Sequence, residues 1–189
     1  MNTEQTSKRL HTYIYQIRRV MKNFDIEKGV LYENKSYRLA SKRVKSDIEK
    51  FENIIKESTK NNIDDKVNCL EEAIHLYRSE YLKGFYSQWV IDERRRLEQI
   101  YLLSLERLSK IYIEAKEYNR AVDYLHIMIK TDPLLEKAHE MLMIVYKKMD
   151  NRIAVIHQYE SFYQTLKSEL GIEPKSEMKD LYSKLLKEK

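Results

Sequence analysis

Two Glu-x-x-His motifs give this chain a spacing that a metal site in a helical protein could use. They are Glu72-Ala73-Ile74-His75 and Glu136-Lys137-Ala138-His139. A carboxylate-bridged di-metal site takes two such i, i+3 pairs, but it also needs two further inward glutamates on long adjacent helices. Pro133 starts the helix of the second motif only one turn earlier, and packing between helices explains His139 without a metal. We therefore predict no metal site and no cofactor.

No other arrangement in the sequence resembles a catalytic site. The three glycines form no phosphate-binding loop, and no serine stands in the G-x-S-x-G context of a nucleophile elbow. Cys69 is the only cysteine and has no neighbouring basic motif that would activate it, and it cannot form an internal disulfide. The sequence therefore predicts a binding protein rather than an enzyme.

A second group of residues has the chemistry of nucleic-acid recognition. Residues 1–46 hold 11 Lys and Arg against 4 Asp and Glu, whereas the remaining chain holds 24 against 26. All of the excess positive charge therefore lies in the first quarter. A basic segment attached to a near-neutral body is typical of a protein that binds an anionic partner, with DNA the first candidate. A solvated basic tail is the alternative.

The element that must position these charges is a helix predicted over residues 3–22. A narrow apolar stripe recurs along it at helical spacing, formed by Leu10, Ile14, Ile17 and Met21. The opposite face is basic and rich in hydrogen-bonding groups, formed by Lys8, Thr12, Tyr15, Gln16 and Arg19. Side chains of these types read base edges when a helix enters the major groove. The alternative is that this helix packs against the rest of the chain.

A small β-hairpin is predicted directly after this helix. Residues 30–32 have the pattern of a short strand, residues 33–36 that of a turn, and residues 37–39 that of the returning strand. Lys35 and Arg38 lie on this hairpin, where they are expected to contact DNA phosphates.

The stretch 105–133 carries the spacing of a 34-residue tetratricopeptide repeat. The repeat-packing residues in it are Leu105, Leu108, Tyr112, Ala121, Leu125 and Pro133. The first three share one face of a first helix, the small Ala121 lets a second helix approach closely, and Pro133 ends that second helix. Such a helical hairpin cannot bury its apolar face alone, so similar hairpins are expected on both sides.

Neighbouring segments follow the same pattern. Residues 47–81 are predicted to form a looser first hairpin broken at Asn61-Asn62, and a long helix is predicted from about residue 89 to 115. After Pro133 the register returns with Tyr146, 34 residues after Tyr112, and with Ala154, 33 residues after Ala121. The inter-helix turn is therefore predicted to lose one residue. A last helix from about residue 176 caps the array.

The composition agrees with a mainly α protein. Charged residues (34%) alternate with hydrophobic residues (42%) at helical spacing, and only three Gly and two Pro interrupt them. No apolar run reaches the length of a membrane span, and no signal-peptide pattern opens the chain. The sequence therefore predicts a cytoplasmic protein.

Residues 10–39 resemble the carboxy-terminal half of the winged-helix domain of response-regulator-type transcription factors. The resemblance rests on Leu10, Ile14 and Ile17-Arg18-Arg19 in the helix and on Tyr37-Arg38-Leu39 at the exit of the wing. Ser36 replaces the glycine that is usual there. The first two helices and the preceding sheet of such a domain have no counterpart, so we expect other residues to cover the apolar stripe: upstream residues, the helical body or a second chain.

From about residue 47 onward the chain resembles the bacterial transcriptional activator domain, the tetratricopeptide-like module of the SARP family and related response regulators. The most specific matches are Leu76-Tyr77-Arg78, Gly84-Phe85, Trp89 with Arg94, Pro133-Leu134 with His139, and Glu169-Leu170-Gly171-Ile172-Glu173-Pro174. The resemblance implies a cytoplasmic transcription factor, usually an activator in a two-component or related system. Its helical module is then expected to self-associate or to contact RNA polymerase.

Together these observations predict two domains, a partial winged helix over residues 1–46 and a tetratricopeptide-like domain over residues 47–189. The fold class is mainly α, with antiparallel helical hairpins in a right-handed stack after an amino-terminal helix and small hairpin. The expected partners are promoter or operator DNA, RNA polymerase, and a second copy in a homodimer that shields the apolar stripe. The alternative is a stand-alone repeat adaptor, in which the 15 Tyr of the chain contribute to partner contacts.

Overall fold

The computed structural model describes residues 3–40, 46–59 and 62–187. In chain order the elements are α1 (Thr3–Lys22), β1 (Val30–Glu33), β2 (Ser36–Leu39), α2 (Asp47–Ser58), α3 (Ile63–Leu76), α4 (Gln88–Glu114), α5 (Tyr118–Thr131), α6 (Glu136–Lys148), α7 (Arg152–Leu170) and α8 (Ser176–Lys187). The chain divides into two compact units, the first ending at Lys50 and the second beginning at Phe51. The mainly α fold with one small hairpin is as predicted.

The first unit contains the predicted helix and hairpin. Helix α1 has the predicted bounds, and β1 and β2 pair antiparallel from Val30 opposite Leu39 to Glu33 opposite Ser36. The turn is shorter than predicted, because Glu33 and Ser36 belong to the strands and only Asn34 and Lys35 connect them. Both turn residues have positive φ, 49° and 59°, which is the geometry of a type I′ turn.

The second unit begins with the predicted first hairpin, α2 and α3. Asn62 caps α3, since its side chain accepts a hydrogen bond from the Asp65 amide at 3.0 Å; Asn61 lies outside the described residues. Tyr77, predicted inside α3, is instead its carboxy-terminal cap and leaves the helical conformation. Its ring stacks on Tyr101 of α4 at 4.1 Å between centroids, which joins the first hairpin to the second.

The second and third hairpins, α4–α5 and α6–α7, repeat after 34 residues. Helix ends at Glu114 and Lys148, and helix starts at Tyr118 and Arg152, are each 34 residues apart. Both turns use the same cap, a left-handed residue at Lys116 (φ 62°) and Asp150 (φ 54°). The predicted loss of one residue in the second turn is therefore wrong.

The repeat-packing residues of the second hairpin lie where the repeat pattern places them. Leu105, Leu108, Tyr112, Ala121 and Leu125 are buried, and Pro133 follows Asp132, whose backbone is extended (φ −134°, ψ 96°). In the third hairpin Tyr146 is half-buried and its hydroxyl contacts the His126 ring at 3.0 Å. Ala154 is also half-buried, whereas Val155, 34 residues after Ala121, is buried.

Helix α8 covers the end of the third hairpin. Helix α7 stops at Gly171, which has the left-handed conformation (φ 69°) that glycine adopts without strain. Met178 and Leu185 of α8 then join a buried cluster with Met143, Val155, Phe162 and Leu166. In the part of the chain that the structure describes, no helix combines the length and apolar character needed to cross a membrane.

Candidate nucleic-acid interface

The predicted DNA-facing side of α1 is exposed along its length. Lys8 and Thr12 lie in its first half, and the Thr12 hydroxyl donates a hydrogen bond to the Lys8 carbonyl at 3.0 Å. Tyr15, Gln16 and Arg19 continue the face, and all three side chains are exposed. This surface therefore offers two cationic side chains, an amide and hydroxyl groups to a ligand, a set that can contact both phosphates and base edges.

The β-hairpin is fastened to a different side of α1. Arg18 donates a hydrogen bond to the Val30 carbonyl at 3.0 Å, and the Tyr37 hydroxyl lies 2.9 Å from Nδ1 of His11. Ile14 and Val30 are buried in the same region. The two adjacent arginines therefore have different environments, since Arg18 holds the hairpin while Arg19 faces solvent. The 100° step per residue carries this signal, because Arg18 lies beside Ile14 on the helix surface.

The two predicted hairpin cations also differ from each other. Lys35 is exposed at the tip of the turn. Arg38 is exposed as well, but its Nε and Nη2 donate to one carboxylate oxygen of Glu33 at 2.9 and 2.7 Å. This ion pair within the hairpin partly neutralises Arg38, so Lys35 presents the more available positive charge.

A basic cavity of about 460 Å³ lies where α1 runs into the hairpin. Arg18, Lys22 and Lys28 line it together with the acidic Glu27. The sequence analysis did not include Lys22 and Lys28, because they lie beyond the predicted recognition face. Their charges add a second anion-attracting surface to the first unit.

The predicted apolar stripe of α1 is only partly covered. Ile14 is buried and Met21 is half-buried, whereas Leu10 and Ile17 are 47% and 42% exposed. The exposed apolar surface continues along the helix through Tyr13, Val20 and Phe24. Large exposed apolar patches of this kind usually mark an interaction surface.

Residues 46–186 match the family described as the bacterial transcriptional activator domain, BTAD. The chain belongs to this family. It is 25% identical over 187 residues to the transcriptional regulatory protein MoaR1 of Mycobacterium tuberculosis, a match that covers 95% of this chain and 60% of MoaR1. The regulatory protein AfsR of Streptomyces griseus is 24% identical over 118 residues, covering 62% of this chain and 12% of AfsR.

Solved structures extend the similarity to the fold. Mycobacterium tuberculosis EmbR, solved in complex with a low-affinity phosphopeptide, superposes with a TM-score of 0.72 and 18% identity over 96% of this chain and 50% of EmbR. The tetratricopeptide-containing domain of a Plasmodium falciparum FK506-binding protein gives a TM-score of 0.50 and 18% identity over 76% of this chain and 92% of that domain. The tetratricopeptide-like fold of this BTAD protein is thereby confirmed.

The Glu-x-x-His residues of the BTAD repeats have structural partners. His139 is buried between two hydrogen bonds, 3.0 Å from the Pro133 carbonyl and 2.6 Å from Nε2 of Gln158, and its ring contacts Phe162. Burial lowers the pKa of His139 below its ordinary value, so the neutral form is favoured. Among the described residues, no group of three or more His, Cys, Asp or Glu could hold a metal ion.

A cluster around Glu71, which the sequence analysis did not include, joins α3 to the second hairpin of the BTAD fold. One carboxylate oxygen of Glu71 accepts hydrogen bonds from the hydroxyls of Tyr112 and Tyr124 at 2.7 and 2.9 Å and from Arg120 at 3.3 Å. The two tyrosine rings stack, and the guanidinium of Arg120 lies 4.4 Å from the Tyr112 ring centroid. Burial and the Glu71 carboxylate raise the pKa of Tyr112, and they raise the pKa of Tyr124 to about 12.

The Arg94-Arg95-Arg96 run of α4 is mostly used within the BTAD fold. Arg94 pairs with Glu80 at 2.8 Å and donates to the carbonyls of Tyr81, Leu82 and Phe85, which fixes the loop before α4. Arg96 pairs with both Glu52 and Glu93. The run is therefore compensated by local acceptors, as the flanking acidic residues predict.

Proposed function

We propose that this chain is part of a cytoplasmic transcriptional regulator, an activator, that binds promoter or operator DNA through its first unit. The observation that carries the proposal is the exposed face of α1, which presents Lys8, Thr12, Tyr15, Gln16 and Arg19 on one side while the hairpin is fastened to another. The family match and the relatives named as transcriptional regulatory proteins support it. The chain spans 60% of the length of MoaR1, so the proposal concerns the part that the two share.

In this proposal α1 enters the major groove and the hairpin lies over the adjacent backbone. Gln16 and Arg19 are suited to base edges, since an amide pairs with adenine and a guanidinium with guanine. Lys35 and Arg38 contact phosphates from the hairpin, and the cavity bordered by Lys22 and Lys28 adds further attraction for the backbone. We place the domain boundary between residues 46 and 47, which the start of the family match at residue 46 supports.

Fluorescence anisotropy with a labelled duplex of mixed sequence tests the proposal. Binding is expected to weaken by a factor on the order of 10³ between about 50 and 200 mM salt, as counterions are released from the phosphates. The double variant Arg19→Ala, Arg38→Ala is expected to lose about 10- to 100-fold in affinity and to show a shallower salt dependence. The matched control, Arg95→Ala with Arg152→Ala, removes the same charge from the second unit and is expected to bind like the unmodified chain.

Two results would contradict DNA binding by the first unit. One is the absence of salt-dependent binding, and the other is equal loss of affinity in the double variant and its control. Because Arg38 is tied to Glu33, separate substitution of Lys35 measures how much of the hairpin contribution comes from the turn.

We further propose that the protein forms a homodimer and that its repeat unit contacts a second copy or RNA polymerase. The exposed Leu10 and Ile17 on α1 support dimer formation, because burying such side chains is favourable. A dimer is expected by light scattering at micromolar concentration, and Ile17→Asp is expected to convert it to a monomer. A monomeric unmodified chain under these conditions contradicts the dimer.

A further inference from the structure

Two neighbouring cavities lie between the first helices of successive hairpins in the second unit. One, of about 330 Å³, is bordered by α2 and α4, and the other, of about 290 Å³, is bordered mainly by α4 and the start of α6. Leu103 of α4 lines both cavities and is 52% exposed. We call these two cavities and the Leu103 side chain between them the α4 groove.

Apolar side chains form the floor of the α4 groove. Ile55 and Ile100 line the larger cavity, and Leu102 and Leu135 line the smaller one. Each cavity has a volume near the lower end of the range of ligand pockets, roughly 300–1,000 Å³. Each is therefore suited to one or two apolar side chains rather than to a large cofactor.

The rim of the α4 groove carries an uncompensated positive charge. Its acidic residues are already paired, Glu52 with Arg96 at 2.5 Å and Glu106 with Lys110 at 2.6 Å. Lys56 and Arg107 border the larger cavity and are exposed, and neither side chain forms an ion pair with another described residue. The groove thus combines two apolar cavities with two available cations on the same side.

We propose that the α4 groove binds an acidic peptide segment of a partner protein, with two apolar anchor side chains in the cavities and carboxylates against Lys56 and Arg107. Repeat scaffolds commonly bind extended ligands on surfaces formed by successive repeats. The apolar floor favours a peptide over nucleic acid, whose bases and phosphates leave such cavities poorly filled. A second copy binding groove to groove is disfavoured, because the same two cations would face each other.

This inference does not rest on DNA binding by the first unit, and the two can fail separately. Selection from a displayed library of random peptides of about 15 residues, long enough to reach across both cavities, provides the probe. The selected peptides are expected to be enriched in Asp and Glu with two apolar residues in a fixed spacing. The most enriched peptide, fluorescently labelled, is then measured by anisotropy against variants of the protein.

Charge reversal by Lys56→Glu with Arg107→Glu, or blocking of the groove by Leu103→Asp, is expected to weaken peptide binding by about tenfold or more. The control Arg95→Glu with Lys130→Glu reverses two exposed cations outside the groove and is expected to bind normally. Circular dichroism establishes that each variant is folded. Single-site variants of Lys56 and Arg107 then apportion the effect between the two cations.

Three results overturn the inference: no enriched peptide, selection of basic or uncharged peptides, or equal binding by the groove variants and the control. Binding of duplex DNA that is lost on Leu103→Asp would assign the groove to nucleic acid and overturn it as well. If the peptide binds but the Arg19→Ala, Arg38→Ala variant retains DNA affinity, only the DNA-binding proposal fails.

Discussion

Replacing Phe162 with alanine is expected to lower the free energy of unfolding by about 3–5 kcal/mol. Phe162 is 1% exposed and lies in the cluster that joins α7 to α8 through Met178 and Leu185. Its ring centroid is 4.3 Å from that of His139, so the substitution opens a cavity beside a buried polar side chain. The loss combines the transfer free energy of the ring with the cost of the cavity.

Urea denaturation followed by circular dichroism measures the Phe162 effect. Gln164→Ala, two residues along the same helix and exposed, is the matched control and is expected to change stability by less than about 0.5 kcal/mol. Phe162→Leu is expected to recover part of the loss because it refills some of the volume. A Phe162→Ala variant as stable as the control would mean that α7 and α8 do not share a packed core.

Replacing Glu71 with alanine is expected to lower the free energy of unfolding by about 2–4 kcal/mol, since hydroxyl donors that lose their acceptor are each costly when buried. Glu71 is the common acceptor for Tyr112, Tyr124 and Arg120, and it links α3 to α4 and α5. Glu71→Gln retains an acceptor and is expected to lose less. Asn68→Ala, exposed on the same helix, is the control in the same denaturation experiment.

The pH dependence of the Glu71 cluster gives a second readout. The pKa of Tyr124 is about 12 in the folded chain, above its ordinary value of 10.0. A raised pKa contributes stability that is fully present below pH 10 and is lost as the pH rises toward 12. In Glu71→Gln the tyrosinate absorbance of Tyr124 is expected to appear at lower pH. Unchanged tyrosine titration in that variant would show that the Glu71 carboxylate does not act on Tyr124.

Elements with strong periodicity could be predicted from the sequence. Helix α1 and the second hairpin follow their apolar spacing closely, because a helix with one apolar face has one favourable way to bury it. The third hairpin shows the limit of this approach. Ala154 was chosen as the small residue equivalent to Ala121, yet Val155 is buried at that position. Adjacent apolar residues are separated by only 100° on a helix, so residue type alone does not decide which of them packs inward.

The candidate DNA-facing surface could be predicted only in outline. The sequence indicates which side of α1 is polar, because that side lies opposite the apolar stripe. The two ends of the Arg18-Arg19 pair differ only because the hairpin lies next to Arg18, and Arg38 is compensated only because the strand pairing brings it near Glu33. These contacts join residues that are 12 and 5 positions apart, so the register of the folded hairpin decides them.

The sequence by itself determined the helical class of this protein, the 34-residue repeat and the concentration of positive charge in residues 1–46, because these depend on local spacing and composition. The tertiary structure decided which groups meet. Glu71 gathers donors 41 to 53 residues away, and the α4 groove is formed by helices from three hairpins. Such contacts depend on how helices pack against each other, and helix packing is set by the combined shape of many side chains rather than by any single motif.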